Sequence, residues 1–217
     1  MDLHLSNTNM IQHQIRTWDV SDVRILDLYL KHNRSYFVPE EFKSLAYNDM
    51  RIPLDENQTM LSPKEEARIL QELKIKPTDE VLEVGTGSGF VTILLAELAK
   101  SVLSIDIFPK LIKIASRNIR EARTNNVTIE EHNAFCELLD EGPFDVIIIT
   151  GAMHELPEFY KENLNIGGRL FAYIGESPAI KGIVIERITY NTWKTRTVYE
   201  TDIQYLLNKN AKDNFIL

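Results

Sequence analysis

The apolar positions of this 217-residue chain change their period near residue 75. Beyond it, short apolar runs alternate with stretches whose apolar residues recur every three or four positions. That alternation predicts strands and helices of a doubly wound α/β sheet. Residues 81–84 (VLEV) predict a first strand, and residues 89–100 a helix with Val91, Leu94, Leu95 and Leu98 on one face. Residues 102–106, a helix over 109–123 and residues 127–130 continue the pattern. Residues 144–150 (FDVIIIT) are nearly all apolar, as in a central strand covered on both faces. Residues 155–164 are predicted helical, after which Gly167-Gly168 turns the chain into a strand over 169–174. Two β-rich runs, 181–189 and 193–200, flank Tyr190-Asn191-Thr192 and predict a closing antiparallel hairpin. Residues 208–217 are expected on the surface.

Residues 1–75 read differently, which divides the chain into an N-terminal helical cap (1–75) and a ligand-binding core (76–217). Residues 10–16 and 23–32 have helical spacing, with Ser21 and Asp22 available as caps. Phe37-Val38-Pro39 and Ile52-Pro53 are expected to be extended, proline-bounded pieces. Pro63 stands where the first turn of a helix accepts it, and residues 64–73 continue that helix. The cap is expected to lean on the sheet as a lid over the ligand.

Charge and composition narrow the partners. With 24 basic and 32 acidic residues the chain carries a formal charge of −8, and no nucleic-acid partner is expected. No apolar run approaches a membrane span, and the N-terminal residues lack the order of a signal peptide. Neither membrane nor export is therefore expected. Cys136 has no internal partner, which suits a reducing cytoplasm. The histidines at 4, 13, 32, 132 and 154 are not spaced as metal ligands, so no metal is expected.

The candidate chemistry gathers at Glu83-Val84-Gly85-Thr86-Gly87-Ser88-Gly89. Glycines after a parallel strand allow a tight turn and close approach of a ligand. The dinucleotide fingerprint is G-x-G-x-x-G; here the third glycine comes one residue early. The E-x-G-x-G-x-G order resembles the first motif of S-adenosylmethionine-dependent methyltransferases. A helix opening near Ser88 offers N–H groups and partial positive charge to the crevice. Gly85, Thr86, Gly87, Ser88 and Gly89 are therefore cofactor-binding candidates. Asp106, with Ile107 beside it, ends the second strand, where a carboxylate can accept both ribose hydroxyls. Capping the helix at Pro109 is compatible with that role. Glu83, inside an apolar strand, needs a partner: a backbone donor, or the cofactor's ammonium group through water. In this class of enzyme the loop after the third strand meets adenine, and Asn133, with Ala134, can accept from its amino group. Thr150 ends the fourth strand at the same crevice. His132 and His154 read as solvated loop imidazoles at least as readily as contacts.

A longer series of motifs is more particular. It comprises Met10-Ile11 with Gln14, Asp22-Val23 with Ile25-Leu26, Phe37-Val38-Pro39, Ala46-Tyr47-Asn48-Asp49, Ile52-Pro53-Leu54 and Gln58-Thr59. Residues 81–89, Ser104-Ile105-Asp106, Asn126-Val127, 144–147 and Gly167-Gly168-Arg169-Leu170 follow in order. In these elements the chain resembles the protein-L-isoaspartate O-methyltransferase family along most of its length. The resemblance implies a Rossmann-like mixed sheet of the class I methyltransferase type, ending in an antiparallel hairpin and carrying an N-terminal helical cap. It also implies S-adenosylmethionine as cofactor and isoaspartyl-containing proteins or peptides as partners. Methylation of the free carboxylate then leads through a succinimide back toward aspartate, which is protein repair. A carboxylate with a pKa of about 4 is already ionised at pH 7, so no general base is required.

Two departures matter. The family places a serine in Q-T-I-S-Q-P where this chain has Leu61, within Gln58-Thr59-Met60-Leu61-Ser62-Pro63. Thr59 and Ser62 are then the candidates for the catalytic polar group at the acceptor. His132-Asn133-Ala134 replaces the usual Gly-Asp-Gly. The alternatives are a methyltransferase for another small or hydrophobic acceptor and a protein that binds S-adenosylmethionine without turning it over.

Overall fold

The computed structural model describes residues 3–136 and 142–208, so most of the expected C-terminal surface segment lies outside the described residues. The cap opens with α1 (Leu3–Met10), which continues into a π turn over Ile11–Ile15 and a 3-10 turn over Arg16–Trp18. The N-terminal helical region thus starts earlier than its periodicity predicts. Asp19, left-handed at φ 57°, ends it. In α2 (Val23–Lys31), the Asp22 carboxylate accepts from the Arg24 N–H and caps the helix as expected. Of Phe37-Val38-Pro39, expected to be extended, Pro39 is so at φ −57° and ψ 150°, whereas Phe37, at φ −105° and ψ −1°, ends a 3-10 turn. The 3-10 turns Arg34–Tyr36 and Glu40–Leu45 flank the piece. A small sheet pairs β1 (Ile52–Pro53) with β2 (Thr59–Met60). Helix α3 (Pro63–Leu73) follows, with Pro63 in its first turn and a capping box between Ser62 and Glu65.

The core alternates as the sequence predicts: β3 (Glu80–Val84), α4 (Phe90–Leu98), β4 (Ser101–Asp106), α5 (Pro109–Glu121) and β5 (Val127–Glu131). Then come β6 (Phe144–Met153), α6 (Glu158–Glu162), β7 (Leu164–Ile174), β8 (Ile180–Thr189) and β9 (Thr192–Thr201). The sheet order is β5-β4-β3-β6-β7-β8-β9, parallel through β7 and antiparallel at β7–β8 and β8–β9. The expected hairpin is therefore present. Order reverses beside β3, which opens a crevice at the carboxyl ends of β3, β4 and β6.

Two predicted boundaries shift. The helix expected over 155–164 is the single turn of α6, because Pro157 opens it and the chain enters β7 at Leu164. Gly167-Gly168 lies inside β7 rather than before it. The pairing of β6 with β7 slips between Phe144↔Leu164 and Val146↔Arg169, and the glycines occupy that irregularity.

Strand alternation sorts the core. Val81, Val146 and Ile148 face one buried cluster, while Leu82, Val84, Ile147 and Ile149 face the other. The first cluster also takes Met10, Tyr29 and Leu70, so the cap shares one core with the sheet. Phe37 and Tyr29 both meet Phe90 edge-on, at centroid distances of 5.2 and 5.9 Å.

Candidate active site

The glycine loop joins β3 to α4. Gly85 has φ +96°, and a Cβ there would collide with Thr150 Oγ1. That hydroxyl donates to Val84 O and Gly85 O, both at 3.0 Å, which fastens the end of β6 to the loop. Gly87 has φ +53°, and a Cβ on it would stand in van der Waals contact with Leu54 of the cap, at 3.4 Å. With Gly89 at φ +83°, the loop has positive φ three times, at positions where a side chain is disfavoured.

Asp106 ends β4 beside this loop. Its Oδ2 accepts from Gly87 N and its Oδ1 from Phe108 N, each at 3.0 Å. Phe108, rather than Asp106, is the cap residue of α5. The carboxylate therefore links the glycine loop to the turn before α5 while lining the cleft.

Glu83 is fully buried, and strand alternation turns it toward α4. Its Oε2 accepts from Thr92 Oγ1 and, at 2.7 Å, from Ser104 Oγ. Because Ser104 donates to Glu83, Thr86 Oγ1 is the donor in its 2.6 Å bond with Ser104. Hydroxyls therefore supply the partners that the sequence assigned to a backbone donor or to the cofactor's ammonium. Burial, reinforced by the charge of Asp106, raises the Glu83 carboxyl to about 8. It is accordingly protonated at pH 7.

A cleft of about 680 Å³, counting its open mouth, runs over these groups. Gly85, Gly87, Asp106, Ile107, Ala134 and Thr150 line it, as do Gln58 and Thr59 from the cap. A smaller, adjoining pocket of about 330 Å³ is lined by Thr59, Met60, Leu61, Thr86, Ser88 and Phe90, among others. The structure thus brings most of the expected cofactor residues and Thr59 to one place.

Besides Glu83, three expected residues line neither cavity. Gly89 lies against α5, where a Cβ on it would meet Ala115 at 3.2 Å. Ser62 is buried, and its hydroxyl donates to Glu65 Oε2 at 2.8 Å while its N–H donates to the same oxygen at 3.0 Å. It caps α3 and lines neither cavity. This corrects its expected place at the acceptor, because an N-cap hydroxyl is committed to the helix end. Asn133 Oδ1 accepts from Phe135 N at 3.1 Å, and its Nδ2 donates to Asn208 Oδ1 at 3.0 Å. The carboxamide is engaged within its own turn and with the C-terminal segment.

Other lining residues escaped the sequence reading. Residues 203–207 run beside the end of β6: Ala152 N donates to Gln204 O at 2.9 Å and Leu206 N to Ala152 O at 2.8 Å. Ile203 to Leu207 thereby wall the cleft. No local pattern announced this, since the pairing is with a strand fifty residues distant in sequence. Beneath Leu61, Arg34 donates to the Leu61 carbonyl and forms a buried ion pair with Glu66. Burial lifts the Glu66 carboxyl to about 7 against the opposing pull of Arg34. Arg51 pairs with Glu65 and also donates to Thr201 Oγ1 (2.8 Å) and Asp202 O, tying the cap to the C-terminal wall.

An open α/β sheet with a glycine loop, a strand-end carboxylate and a cleft at its switch point defines a nucleoside-cofactor-binding enzyme of the methyltransferase class. The profile of the protein-L-isoaspartate(D-aspartate) O-methyltransferase family matches residues 5–205. The chain belongs to that family. A protein-L-isoaspartate O-methyltransferase of Protochlamydia amoebophila is 36% identical over 168 residues, spanning 77% of this chain and 80% of its own length. One of Methanoculleus marisnigri is also 36% identical, over 76% of each chain. Among solved structures, a Plasmodium falciparum protein-L-isoaspartate O-methyltransferase, in complex with S-adenosyl-L-homocysteine, superposes with a TM-score of 0.82. It is 20% identical and is covered over 99% of its length, against 95% of this chain; the likeness is one of fold. Among the described residues no group of three or more His, Cys, Asp or Glu is arranged to hold a metal, and no helix is long and apolar enough to cross a membrane.

Proposed function

We propose that this protein transfers the methyl group of S-adenosylmethionine to the free carboxylate of L-isoaspartyl residues in damaged proteins or peptides, in the cytoplasm. The continuity of the two cavities supports this reading most directly. One carries Asp106 and the glycine loop, the other Met60 and Leu61, and Thr59 lines both. The residues present suit the cofactor. Gly85 and Gly87 line the cleft without a side chain, and the Asp106 carboxylate lies at the cleft as an acceptor for ribose hydroxyls.

The bound cofactor supplies an electrophilic methyl on a sulfonium. The protein's own contribution is placement. Asp106, Ile107, Ala134 and Thr150 hold the nucleoside end, and residues 85–89 receive the amino-acid end. Thr59 is the polar group from the cap, positioned to orient the acceptor carboxylate, which needs no base because it is already ionised. Met60, Leu61 and Phe90 keep water from the reacting atoms. Residues 1–75 serve as the cap and residues 76–217 as the cofactor-binding core.

The assay is methyl transfer to an isoaspartyl peptide with its aspartyl isomer as control. Transfer to the first only is expected, and no turnover on it overturns the reading. The apolar floor formed by Met60 and Leu61 favours, as a second reading, a small or hydrophobic acceptor. Cofactor binding without transfer to the peptide, and transfer to an apolar carboxylic acid, would select it.

A further inference from the structure

The departure from Gly-Asp-Gly in the loop after β5 places a polar side chain where the family has none. His132 follows β5 directly, and its N–H donates to Asp106 O at 3.0 Å, extending the Asp106↔Glu131 pairing by one residue. The residue lines the large cleft with Asp106, Ile107 and Ala134. Its Nε2 is buried and takes no hydrogen bond among the described residues. A buried imidazole nitrogen without a partner costs free energy unless a ligand or water completes it. Its neighbour Asn133, the residue that composition would choose, has both ends of its carboxamide engaged by Phe135 and Asn208.

We propose that the His132 imidazole, through Nε2, makes the polar side-chain contact from this loop to the nucleoside part of the cofactor, in place of Asn133. The inference rests on the cofactor reading above. The location selects the nucleoside rather than the amino-acid end. His132 lies against the carboxyl end of β4 beside Asp106, whereas Thr59, Met60 and Leu61 wall the smaller cavity, which His132 does not line. A neutral imidazole nitrogen can donate to a ring nitrogen or a ribose oxygen, or accept from the adenine amino group, according to tautomer. A glycine at this position would offer no side chain for either bond.

The test is calorimetric titration of the whole protein with S-adenosylhomocysteine, which needs no turnover. His132→Ala is expected to weaken binding about tenfold, the loss of one hydrogen bond. His132→Gln, whose terminal amide reaches nearly as far as Nε2, is expected to retain affinity within about threefold. Thermal unfolding without ligand verifies that both variants are folded. The Nε2 resonance of His132 in a ¹⁵N-histidine-labelled sample should move when S-adenosylhomocysteine is added. Repeating the titration with 2′-deoxy, 7-deaza and N6-methyl analogues locates the contact, since the analogue lacking the bonded atom should be insensitive to His132→Ala. Binding of S-adenosylhomocysteine by His132→Ala within twofold of the unaltered protein overturns the inference alone. Failure of the unaltered protein to bind it overturns the cofactor reading and this inference together.

Discussion

Glu83 illustrates how one residue's environment sets its chemistry. Two hydroxyls hold Oε2, while Oε1 is buried without a partner among the described residues. The folded carboxyl titrates near 8, against an ordinary value of 4.5. The folded state therefore binds the proton more tightly than the unfolded chain between those limits. Its contribution to stability is fully present below pH 4.5 and is lost as pH rises toward 8. Glu83→Gln removes that titration but keeps the shape. Urea unfolding across pH 5 to 9 should show the variant gaining on the unaltered protein as pH rises; a constant difference would mean that Glu83 is ionised in the folded state. Comparing the pair also cancels the parallel contribution of Glu66.

Asp106 and Gly85 carry different loads at the same scale. Asp106→Ala should weaken S-adenosylhomocysteine binding by about 1.5–3 kcal/mol, the worth of hydrogen bonds to a charged group. It also leaves Gly87 N without its acceptor, so a calorimetric loss at the upper end is expected. Gly85→Ala meets both a left-handed backbone and the Thr150 hydroxyl. Denaturant unfolding should show it destabilised by about 1–3 kcal/mol from the backbone alone.

At the scale of elements, the start of α3 separates two neighbouring hydroxyls by role. Ser62→Ala removes a cap and should cost about 0.5–2 kcal/mol of stability. Thr59→Ala touches no helix end and should lower the rate of methyl transfer instead. Paired unfolding and turnover measurements check this crossed pattern. The sequence made α3 legible through Pro63, because the first turn of a helix accepts proline whatever surrounds it. It could not say that Ser62 caps that helix and is thereby withdrawn from the acceptor. It also overextended α6, where helical composition lost to the demand that Leu164 enter the sheet beside Phe144.

For the whole molecule, buried charge first locks the cap onto itself. Arg34 and Glu66 are both about 1% exposed, so neither can keep its charge alone. Arg34→Met should cost about 3–5 kcal/mol by stranding the carboxylate, and a second change, Glu66→Leu, should recover much of it. Thermal and urea unfolding of the single and double variants form the cycle. Arg51 acts differently, bridging Glu65 to Thr201 and Asp202.

What the sequence determined by itself was local or periodic: the strand–helix alternation, the cap at Asp22, the proline start of α3, the glycine loop with its strand-end carboxylate, and the motif series of the family. Each of these is fixed by residues a few positions apart, where sterics and hydrogen bonding act without the rest of the chain. Tertiary structure alone decided which polar groups were left over for a ligand. It engaged Ser62 and Asn133 elsewhere, surrounded Glu83 with hydroxyls, brought residues 203–207 against β6 and set His132 in the cleft wall. Those outcomes depend on hydrogen-bond partners distant in sequence, and a buried polar atom is satisfied or orphaned only once the whole fold has closed around it.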